Sequence, residues 1–254
     1  MKTHTNLSDM AIPGWDAKYD EILREFEYNK EKDFESAKIL NSVLTESNTE
    51  NKISNLIRGK TVFVIGSGPS LSTSISKLKL FEKSIKIAAD SSVKYLIENR
   101  IRPNIIVTDL DGDLDALSKL AKTKSIFVVH AHGDNIKKIT ISKIFTNCIG
   151  TTQGKEFKKI KNYGGFTDGD RGIFLASYFG AKRIILFGMD FGKRIGRFSN
   201  TKTIEREVKK RKLKKAESLL EWLSTTTKTE LITTSRAIPG FRKITYKELD
   251  ELDI

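Results

Sequence analysis

Short apolar runs rich in β-branched residues alternate with helical patterns over most of this 254-residue chain. The apolar runs predict strands at residues 61–65, 86–89, 105–108, 125–129, 143–146, 183–187 and 231–233, of which 143–146 is the weakest. Helical spacing predicts helices at 71–77, 92–98, 114–121, 169–179 and 203–223. This alternation indicates an α/β fold with a mostly parallel, Rossmann-like sheet and helices on both faces. Seven candidate strands leave the strand order open.

The first 58 residues follow a different pattern. Two amphipathic helices are predicted at residues 16–28 and 33–44, and the polar segment 45–52 is a candidate linker. Apolar side chains in these helices stand at helical spacing, so we expect them to pack in a core and not to form a site. The sequence therefore predicts an N-terminal helical extension at 1–58 and an α/β catalytic domain at 59–254.

The chain is strongly basic, with 45 Lys and Arg against 32 Asp and Glu and a formal net charge of +13. Such a charge suggests an anionic partner, and nucleotides, phosphorylated substrates and nucleic acid all stay open. Much of the excess lies in the predicted helix 203–223, where a solvated face explains it without a ligand. No aromatic side chains are interleaved with these lysines for base stacking, so we expect no specific nucleic-acid binding.

Other features of the composition concern the cellular compartment. Cys148 is the only cysteine, which excludes an intrachain disulfide and fits a reducing compartment. The amino terminus lacks an apolar signal core, and no apolar run approaches the ~18 residues that span a membrane. We therefore expect a soluble, cytoplasmic protein with no membrane partner, and a homo-oligomer is compatible with these observations.

Three carboxylates, Asp109, Asp111 and Asp113, stand at every second position directly after the predicted strand 105–108. Parallel strands present ligand-binding loops at their carboxyl ends, and clustered carboxylates repel one another unless a cation lies between them. Oxygen-only ligands favour Mg²⁺, so we predict that these residues bind the metal. Asp113 as a helix cap is the alternative, whereas an EF-hand is excluded because Leu120 stands where its Glu is required. A strand followed by Asp-x-Asp-Gly also resembles haloacid-dehalogenase phosphatases.

A glycine-rich turn follows the first predicted strand and opens a helix. Its residues Gly66, Ser67, Gly68 and Ser70 predict an anion-binding turn for a nucleotide, because glycines let backbone N–H groups approach a phosphate. The turn lacks the third glycine of the dinucleotide fingerprint and the Gly-Lys-Ser/Thr of the P-loop. Asp90, at the end of the next strand, is expected to contact a ribose or to cap a helix.

Two of the three histidines of the chain, His130 and His132, follow the fourth predicted strand. We predict that they contact phosphate or donate protons, because histidine titrates near neutral pH. Asp134 is predicted as a further metal ligand or base. A zinc site would need another ligand, and a structural loop is the remaining alternative.

Two further segments, 164–172 and 188–192, place glycines and acids before and after the strand 183–187. A carboxylate beside an aromatic ring can bind the N–H edge of a heterocycle, with Phe166 or Phe191 stacking on it, although helix caps are the alternative. Arg194 and Arg197 in the following loop would suit a polyphosphate.

Five motifs in this order resemble the archaeal-type 6-hydroxymethyl-7,8-dihydropterin pyrophosphokinases. They are Gly-Ser-Gly-Pro-Ser-Leu at 66–71, Asp-Leu-Asp-Gly at 109–112, His-Ala-His-Gly-Asp-Asn at 130–135, Thr-Asp-Gly-Asp-Arg at 167–171 and Gly-Met-Asp-Phe-Gly at 188–192. The predicted helices of the extension, with Trp15 and Tyr19, also resemble that family, so the resemblance covers nearly the whole chain. Gly172 departs from it, standing where Ala is expected, and the basic helix after residue 203 carries little of it.

The resemblance implies a fold related to the catalytic domain of thiamin pyrophosphokinase and a Mg²⁺-dependent transfer of diphosphate from ATP to a reduced pterin. The residues that it implies for the nucleotide, besides those of the glycine-rich turn, are Asp90, His130, Asn135 and Arg171. The residues that it implies for the pterin are Thr167, Asp168, Asp170, Asp190 and Phe191. Asp109, Asp111, Asp134 and His132 are the expected catalytic residues.

Three interpretations outside this family stay open from the sequence, and one of them is the haloacid-dehalogenase-like phosphatase noted above. Motility-accessory glycosyltransferases are a related branch that shares Gly-Pro-Ser-Leu, so a nucleotide-sugar donor is an alternative to ATP. A basic nucleic-acid-binding protein is the alternative from a different functional class.

Overall fold

The computed structural model describes residues 12–192, 196 and 203–254 of the chain. Nine strands in this part form one sheet, and each neighbouring pair is parallel. The strands are β1 Thr61–Ile65, β2 Ile85–Ala89, β3 Ile105–Thr108, β4 Ile126–Ala131, β5 Cys148–Thr152, β6 Ile160–Lys161, β7 Arg183–Phe187, β8 Glu230–Thr233 and β9 Arg242–Lys243.

Helices cover both faces of this sheet. In the described part of the chain they are α1 Trp15–Phe26, α2 Lys30–Val43, α3 Thr49–Ile57, α4 Leu71–Leu80, α5 Asp90–Glu98, α6 Leu114–Leu120, α7 Asp168–Tyr178, α8 Arg206–Thr226 and α9 Tyr246–Asp250. The predicted α/β class is therefore confirmed. None of these described helices combines the length and the apolar character that a membrane crossing requires.

The strand order places one switch point in the middle of the sheet. Across the sheet the order is β6-β5-β4-β3-β2-β1-β7-β8-β9, so the chain first builds outwards from β1 to β6. It then returns through α7 and places β7 against the other side of β1, with Val62 paired to Ile184. In open parallel sheets, ligands bind outside the carboxyl ends of the strands where the winding reverses. This topology therefore predicts a ligand site at the loops after β1 and β7.

Alternate residues of each strand enter two separate hydrophobic clusters, as the period of two in a strand requires. Val62 and Val64 of β1 face α1, α3, α7 and α8, whereas Phe63 and Ile65 face α2, α4, α5, α6 and α9. Strands that are buried on both faces read as continuous apolar runs, which is why the sequence predicted most of them. The helix α7 packs closely on the first face, since a Cβ at Gly172 would lie 3.1 Å from Cγ2 of Ile87.

The predicted N-terminal extension contributes side chains to both hydrophobic clusters. Trp15 and Ile22 of α1 and Ile53 of α3 pack on one face of the sheet, whereas Ala37 and Leu40 of α2 pack on the other. The expectation that its apolar side chains are core residues is confirmed. Both segments of the chain contribute to the same clusters, and the domain boundary at residue 59 stays a prediction.

One predicted strand is wrong. Residues 143–146 are not a strand, because Ile139–Ile144 forms a 3₁₀-helix and β5 begins at Cys148. The true strand contains Gly150 and two threonines, which give it a weak apolar signal. Gly150 is required there by packing, since a Cβ would lie 2.9 Å from Cδ2 of Leu40 and closer still to Ile160. The short strands β6 and β9 were not predicted.

Candidate active site

The loops after β1 and β7 meet at the switch point. The N–H of Gly66 donates to the carbonyl of Phe187 at 2.9 Å, and that of Gly68 donates to Gly188 at 2.8 Å. The N–H of Ser70 donates to the Asp190 carboxylate at 2.9 Å, and a Cβ at Gly68 would overlap that carboxylate. The glycines therefore allow the two loops to pack together. Three N–H groups of the predicted anion-binding turn already have protein partners.

A pocket opens between these two loops and the amino ends of α7 and α8. Residues from both predicted binding sets line it, since Ser67 and Gly68 lie opposite Thr167, Asp190 and Phe191. Other residues in its wall are Gly66, Pro69, Ala89, Ser91, Asp168, Gly169, Gly188, Met189, Gly196, Lys209 and Leu213. Residues that the resemblance assigned to two different molecules thus share one pocket. We call it the switch-point pocket.

Four carboxylates cluster beside this pocket, namely Asp90, Asp109, Asp111 and Asp168. Each offers an oxygen that lies within 4.8 Å of the others. Asp90 is the first residue of α5 after β2, and Asp109 and Asp111 follow β3, so neighbouring strands deliver three of the acids. Asp168 is the first residue of α7. The sequence predicted Asp109 and Asp111 as metal ligands, but it did not predict that Asp90 and Asp168 would lie with them.

The loop after β3 is fixed by bonds to Asp90. The Thr108 hydroxyl donates to Asp90 Oδ2, and the N–H of Gly112 donates to the same oxygen at 3.2 Å. Leu110 has a φ of 67°, a conformation that costs energy for a side chain of this kind, and its N–H donates to the Thr108 hydroxyl at 2.8 Å. No side chain fits at Gly112, since a Cβ would lie 2.0 Å from Asp90 Oδ1. This turn aims Asp109 and Asp111 at the cluster.

One oxygen of Asp90 and one of Asp109 have no hydrogen-bond partner among the residues that the structure describes. Asp90 is 2% exposed, and the unpaired oxygen is Oδ1 in both side chains. Buried polar atoms are normally paired, so two orphaned carboxylate oxygens in one cluster indicate that a ligand completes it. Oxygen donors of this charge suit a hard divalent cation such as Mg²⁺.

The pKa values of the acids reflect their crowding. Burial, partly offset by the hydrogen bond from Thr108, raises the pKa of Asp90 to about 7. Burial and the charge of Asp109 raise the pKa of Asp168 well above its usual range. Asp111 is exposed to solvent on its outer side, but desolvation within the cluster and the charge of Asp109 raise its pKa to about 6. Burial acts in the same direction on Asp109, but the hydrogen bond from His132 holds its pKa well below the usual range. One acid of the cluster is thus ionised and its neighbours tend to keep protons.

His132 is oriented by its own loop. Its Nδ1 accepts a hydrogen bond from the N–H of Asp134 at 3.3 Å, which places the ring proton on Nε2. That Nε2 lies 3.3 Å from Asp109 Oδ2, so the imidazole donates to the carboxylate. The side chain of Asp134 is 70% exposed and lies 3.8 Å from Nδ1, on the side away from the cluster. His132 therefore joins the predicted site, and the structure does not bring Asp134 into it.

Asn135 holds this loop together. Its amide donates to the carbonyls of Asp109 at 2.8 Å and His130 at 2.7 Å, and its oxygen accepts from Ser36 of α2. Asp33 of α2 accepts from the N–H of Gly133 at 2.8 Å, and also from Tyr19 and Gln153. The sequence pattern of α2 predicts packing alone, and the roles of Ser36 and Asp33 depend on long-range contacts that the pattern does not show.

Several predicted site residues have structural partners. Asp113 caps α6 through the N–H of Ala116 and pairs with Lys94 at 2.9 Å, so it points away from the cluster. Asp170 is fully buried and accepts from the N–H groups of Phe166 and Thr167 at its own helix start. In the structure, both Asp113 and Asp170 therefore act as helix caps, which is the alternative that the sequence left open.

The remaining predicted residues lie behind the cluster or outside the described part of the chain. Arg171 pairs with Asp168 at 3.2 Å. His130 is buried, with Nδ1 3.1 Å from the Thr151 hydroxyl, and burial lowers its pKa well below the usual range. Phe166 packs on Phe26 and Tyr28 and does not line the pocket. Arg194 and Arg197 fall outside the described residues.

Three curated relatives are similar to this chain over most of its length. All three are named 6-hydroxymethyl-7,8-dihydropterin pyrophosphokinase. The protein from Methanocaldococcus jannaschii is 44% identical, with 84% of this chain and 96% of the relative covered. The Pyrococcus furiosus protein is 39% identical, covering 86% and 96%, and the Methanothermobacter thermautotrophicus protein is 36% identical, covering 84% and 95%.

A solved structure shares the fold. The MAf glycosyltransferase from Magnetospirillum magneticum AMB-1 superposes with a TM-score of 0.54 at 15% identity, covering 78% of this chain and 38% of that one. At this identity the likeness concerns the fold alone. The sequence model of the MptE-like family, described as 6-hydroxymethylpterin diphosphokinase MptE-like, matches residues 38–196, which include the whole acid cluster. With that match and three relatives of this similarity, the chain belongs to the MptE-like 6-hydroxymethylpterin diphosphokinase family.

Proposed function

We propose that this protein transfers a diphosphate group from ATP to the hydroxymethyl group of 6-hydroxymethyl-7,8-dihydropterin and releases AMP. Three relatives that carry the name of that activity match this chain over nearly their full length. The observation that carries the proposal is the cluster of four carboxylates with two unpartnered buried oxygens beside a pocket at the switch point. A polyphosphate transfer needs such a place for a divalent cation next to a nucleotide.

We propose that the carboxylates Asp90, Asp109, Asp111 and Asp168 hold Mg²⁺. Bound there, Mg²⁺ would neutralise charge on the polyphosphate. His132 supports this arrangement, because its donated hydrogen bond keeps Asp109 ionised and oriented. Arg171 offsets the charge of Asp168 from the opposite side. Asp113 has no place in this proposed set, since its carboxylate is engaged with Lys94.

The geometry of an in-line transfer determines how the nucleotide and the pterin are arranged across the sheet. The attacking and leaving oxygens lie on opposite sides of the phosphorus, so nucleoside and pterin must lie on opposite sides of the acids. The switch-point pocket lies over β1 and β7, the acids over β2 and β3, and His132 follows β4. This geometry allows either order, and the glycine-rich turn predicted for the nucleotide lines the pocket, so we assign the pocket to the nucleotide and the side of His132 to the pterin. The assignment differs from that implied by the resemblance, which gave Thr167, Asp190 and Phe191 to the pterin.

The chain needs little acid–base chemistry for this reaction. Phosphoryl transfer passes through a loose transition state in most analyses, so positioning and charge neutralisation do most of the work. The oxygen of the pterin alcohol forms a bond to the β-phosphorus, and the bond from that phosphorus to the oxygen of the α-phosphate breaks. AMP keeps that oxygen, and the alcohol proton passes to solvent.

The reaction products distinguish diphosphate transfer from other reactions that consume ATP. Incubation with ATP, Mg²⁺ and the reduced hydroxymethylpterin should yield AMP and the pterin diphosphate in equal amounts, and neither without the pterin. Release of ADP would indicate an ordinary kinase. Absence of pterin-dependent ATP consumption would refute the proposal. A cytoplasmic location and a homo-oligomeric state stay predictions alongside it.

A further inference from the structure

Lys209, near the start of α8, lies in the wall of the switch-point pocket with Ser67 and Asp190. It is the only positively charged side chain in the wall that the described residues form, and the other charged residues there are Asp168 and Asp190. A pocket for a polyphosphate needs positive charge, and acids alone cannot provide it. The lysine lies outside residues 38–196, the part that the family model matches.

The register of α8 explains why this lysine reaches the pocket. Leu213 lies one turn further along the same side and also lines the pocket, and Ala216 and Leu220 continue that side into the core. The apolar stripe of the helix therefore ends in Lys209 at the site. A helix that packs by its apolar side has a fixed rotation, so the half-buried side chain of Lys209 is held in the wall of the pocket.

Other basic residues of α8 have partners elsewhere. Arg211 donates to the carbonyl of Glu25 at 2.7 Å, Lys215 pairs with Glu25 at 3.3 Å, and Lys210 pairs with Glu207 at 2.6 Å. Among the described residues, Lys209 has no hydrogen bond or ion pair of this kind. The basic helix thus contains one cation that faces the site and several that fasten the helix or lie in solvent.

The glycine-rich turn does not provide the missing charge. The N–H groups of Gly66, Gly68 and Ser70 all donate to β7 or the loop that follows it. A phosphate at this turn would therefore have to compete with the Asp190 carboxylate for the N–H of Ser70. A side-chain cation is the simpler partner for the phosphate nearest the nucleoside.

The position of Lys209 relative to the acids fits the phosphate at the point of bond cleavage. Asp168, one of the four clustered carboxylates, lies in the wall of the switch-point pocket together with Lys209, so the pocket that we assign to the nucleotide reaches the edge of the cluster. The α-phosphate joins the nucleoside to the two phosphates at the acids, so it must lie between these two places.

We propose that Lys209 binds the α-phosphate of ATP and stabilises the negative charge that AMP gains as it leaves. This rests on the proposed function. When the bond between the β-phosphorus and the bridging oxygen breaks, the electron pair stays on the oxygen of AMP. No proton is transferred in this step, and the side-chain nitrogen of Lys209 lies next to that oxygen. A charge-assisted contact of this kind is stronger than a neutral hydrogen bond, and its strength grows as the charge develops.

The test compares Lys209→Met with Lys210→Met, a matched change one residue along the same helix. Lys209→Met should lower kcat for AMP release by roughly 10- to 100-fold and leave the KM for the pterin unchanged, whereas Lys210→Met should resemble wild type. Lys209→Arg should recover part of the rate. Unchanged kcat in Lys209→Met, or equal losses in both methionine variants, would refute the assignment.

Binding without catalysis gives a second readout. Calorimetry with AMP and with adenosine, in chelator, should show that wild type gains affinity from the phosphate and that Lys209→Met loses roughly 10-fold of that gain. Adenosine should bind both proteins equally, and equal weakening of both ligands would show a structural role instead. If wild type released no AMP in the presence of the pterin, the proposed function would fail, and the comparison of AMP with adenosine would still decide the role of Lys209.

Discussion

The buried carboxyl of Asp90 makes the metal-free protein less stable as the pH rises. Its pKa is about 7 in the folded protein, against an ordinary value of 3.8. Between these pH values the folded state keeps a proton that the unfolded state has lost, so stability is lost as the pH rises through this window and is unaffected below it. A difference of that size corresponds to roughly 4 kcal/mol at pH 8.

Asp90→Asn should remove this cost. The amide oxygen can accept from Thr108 and Gly112 as the carboxylate does, and the amide nitrogen would take the place of the unpartnered oxygen. In chelator at pH 8 the variant should be more stable than wild type by about 2–4 kcal/mol, and near pH 4 the two should be equal. Urea unfolding at pH 4, 6 and 8 measures both values.

A second measurement compares how much Mg²⁺ stabilises the wild-type protein and the Asp90→Asn variant. At a concentration about 100-fold above its Kd, Mg²⁺ should stabilise wild type by roughly 2.7 kcal/mol. The variant should gain much less, because one proposed ligand is missing. A variant that is less stable at pH 8 in chelator, or a difference that does not change between pH 4 and pH 8, would refute the reasoning.

Three further predictions concern single residues. Asp111→Asn should lower AMP release by at least about 100-fold while Asp113→Asn keeps most of it, because only the first carboxylate lies in the cluster; equal losses at saturating Mg²⁺ would contradict this. Phe191→Ala should raise the KM for ATP and not that for the pterin, and the reverse in steady-state kinetics would exchange the two sites. Asp33→Asn should lower stability by roughly 1–3 kcal/mol relative to Glu35→Gln, an exposed change on the same helix, since Asp33 accepts three hydrogen bonds; an equal urea midpoint would exclude that role.

The sequence predicted the strands that are buried on both faces and the acids at their ends. Asp109 and Asp111 could be found because the apolar run stops where a parallel sheet presents its ligands. The sequence left Asp113 open between a metal ligand and a helix cap, because the choice depends on the left-handed conformation of Leu110, which turns the loop. The strand β5 was missed because packing requires Gly150 there and removes the apolar signal.

Other parts of the site depend on contacts between distant segments. Helical spacing shows which side of α2 is buried, but it does not show that Asp33 meets the backbone of Gly133. The same holds for Lys209, which in the sequence is one lysine among many in a basic helix. Its role follows only from the place where α8 crosses the switch-point pocket. Local patterns fix the face that each element buries, whereas the partner on that face is a property of the whole fold.

Because β7 pairs with β1, the newly made chain carries an unfinished sheet during synthesis. The side of β1 that β7 covers stays open until residues 183–187 have left the ribosome, and Phe63 and Val64 of β1 are fully buried in the finished protein. At ribosomal rates of about 5–20 residues per second, that interval lasts roughly 6–24 s. An open apolar edge is a template for association with other chains. Asp168 also emerges late in this interval, so the cluster of four carboxylates is completed only shortly before the edge of β1 is covered.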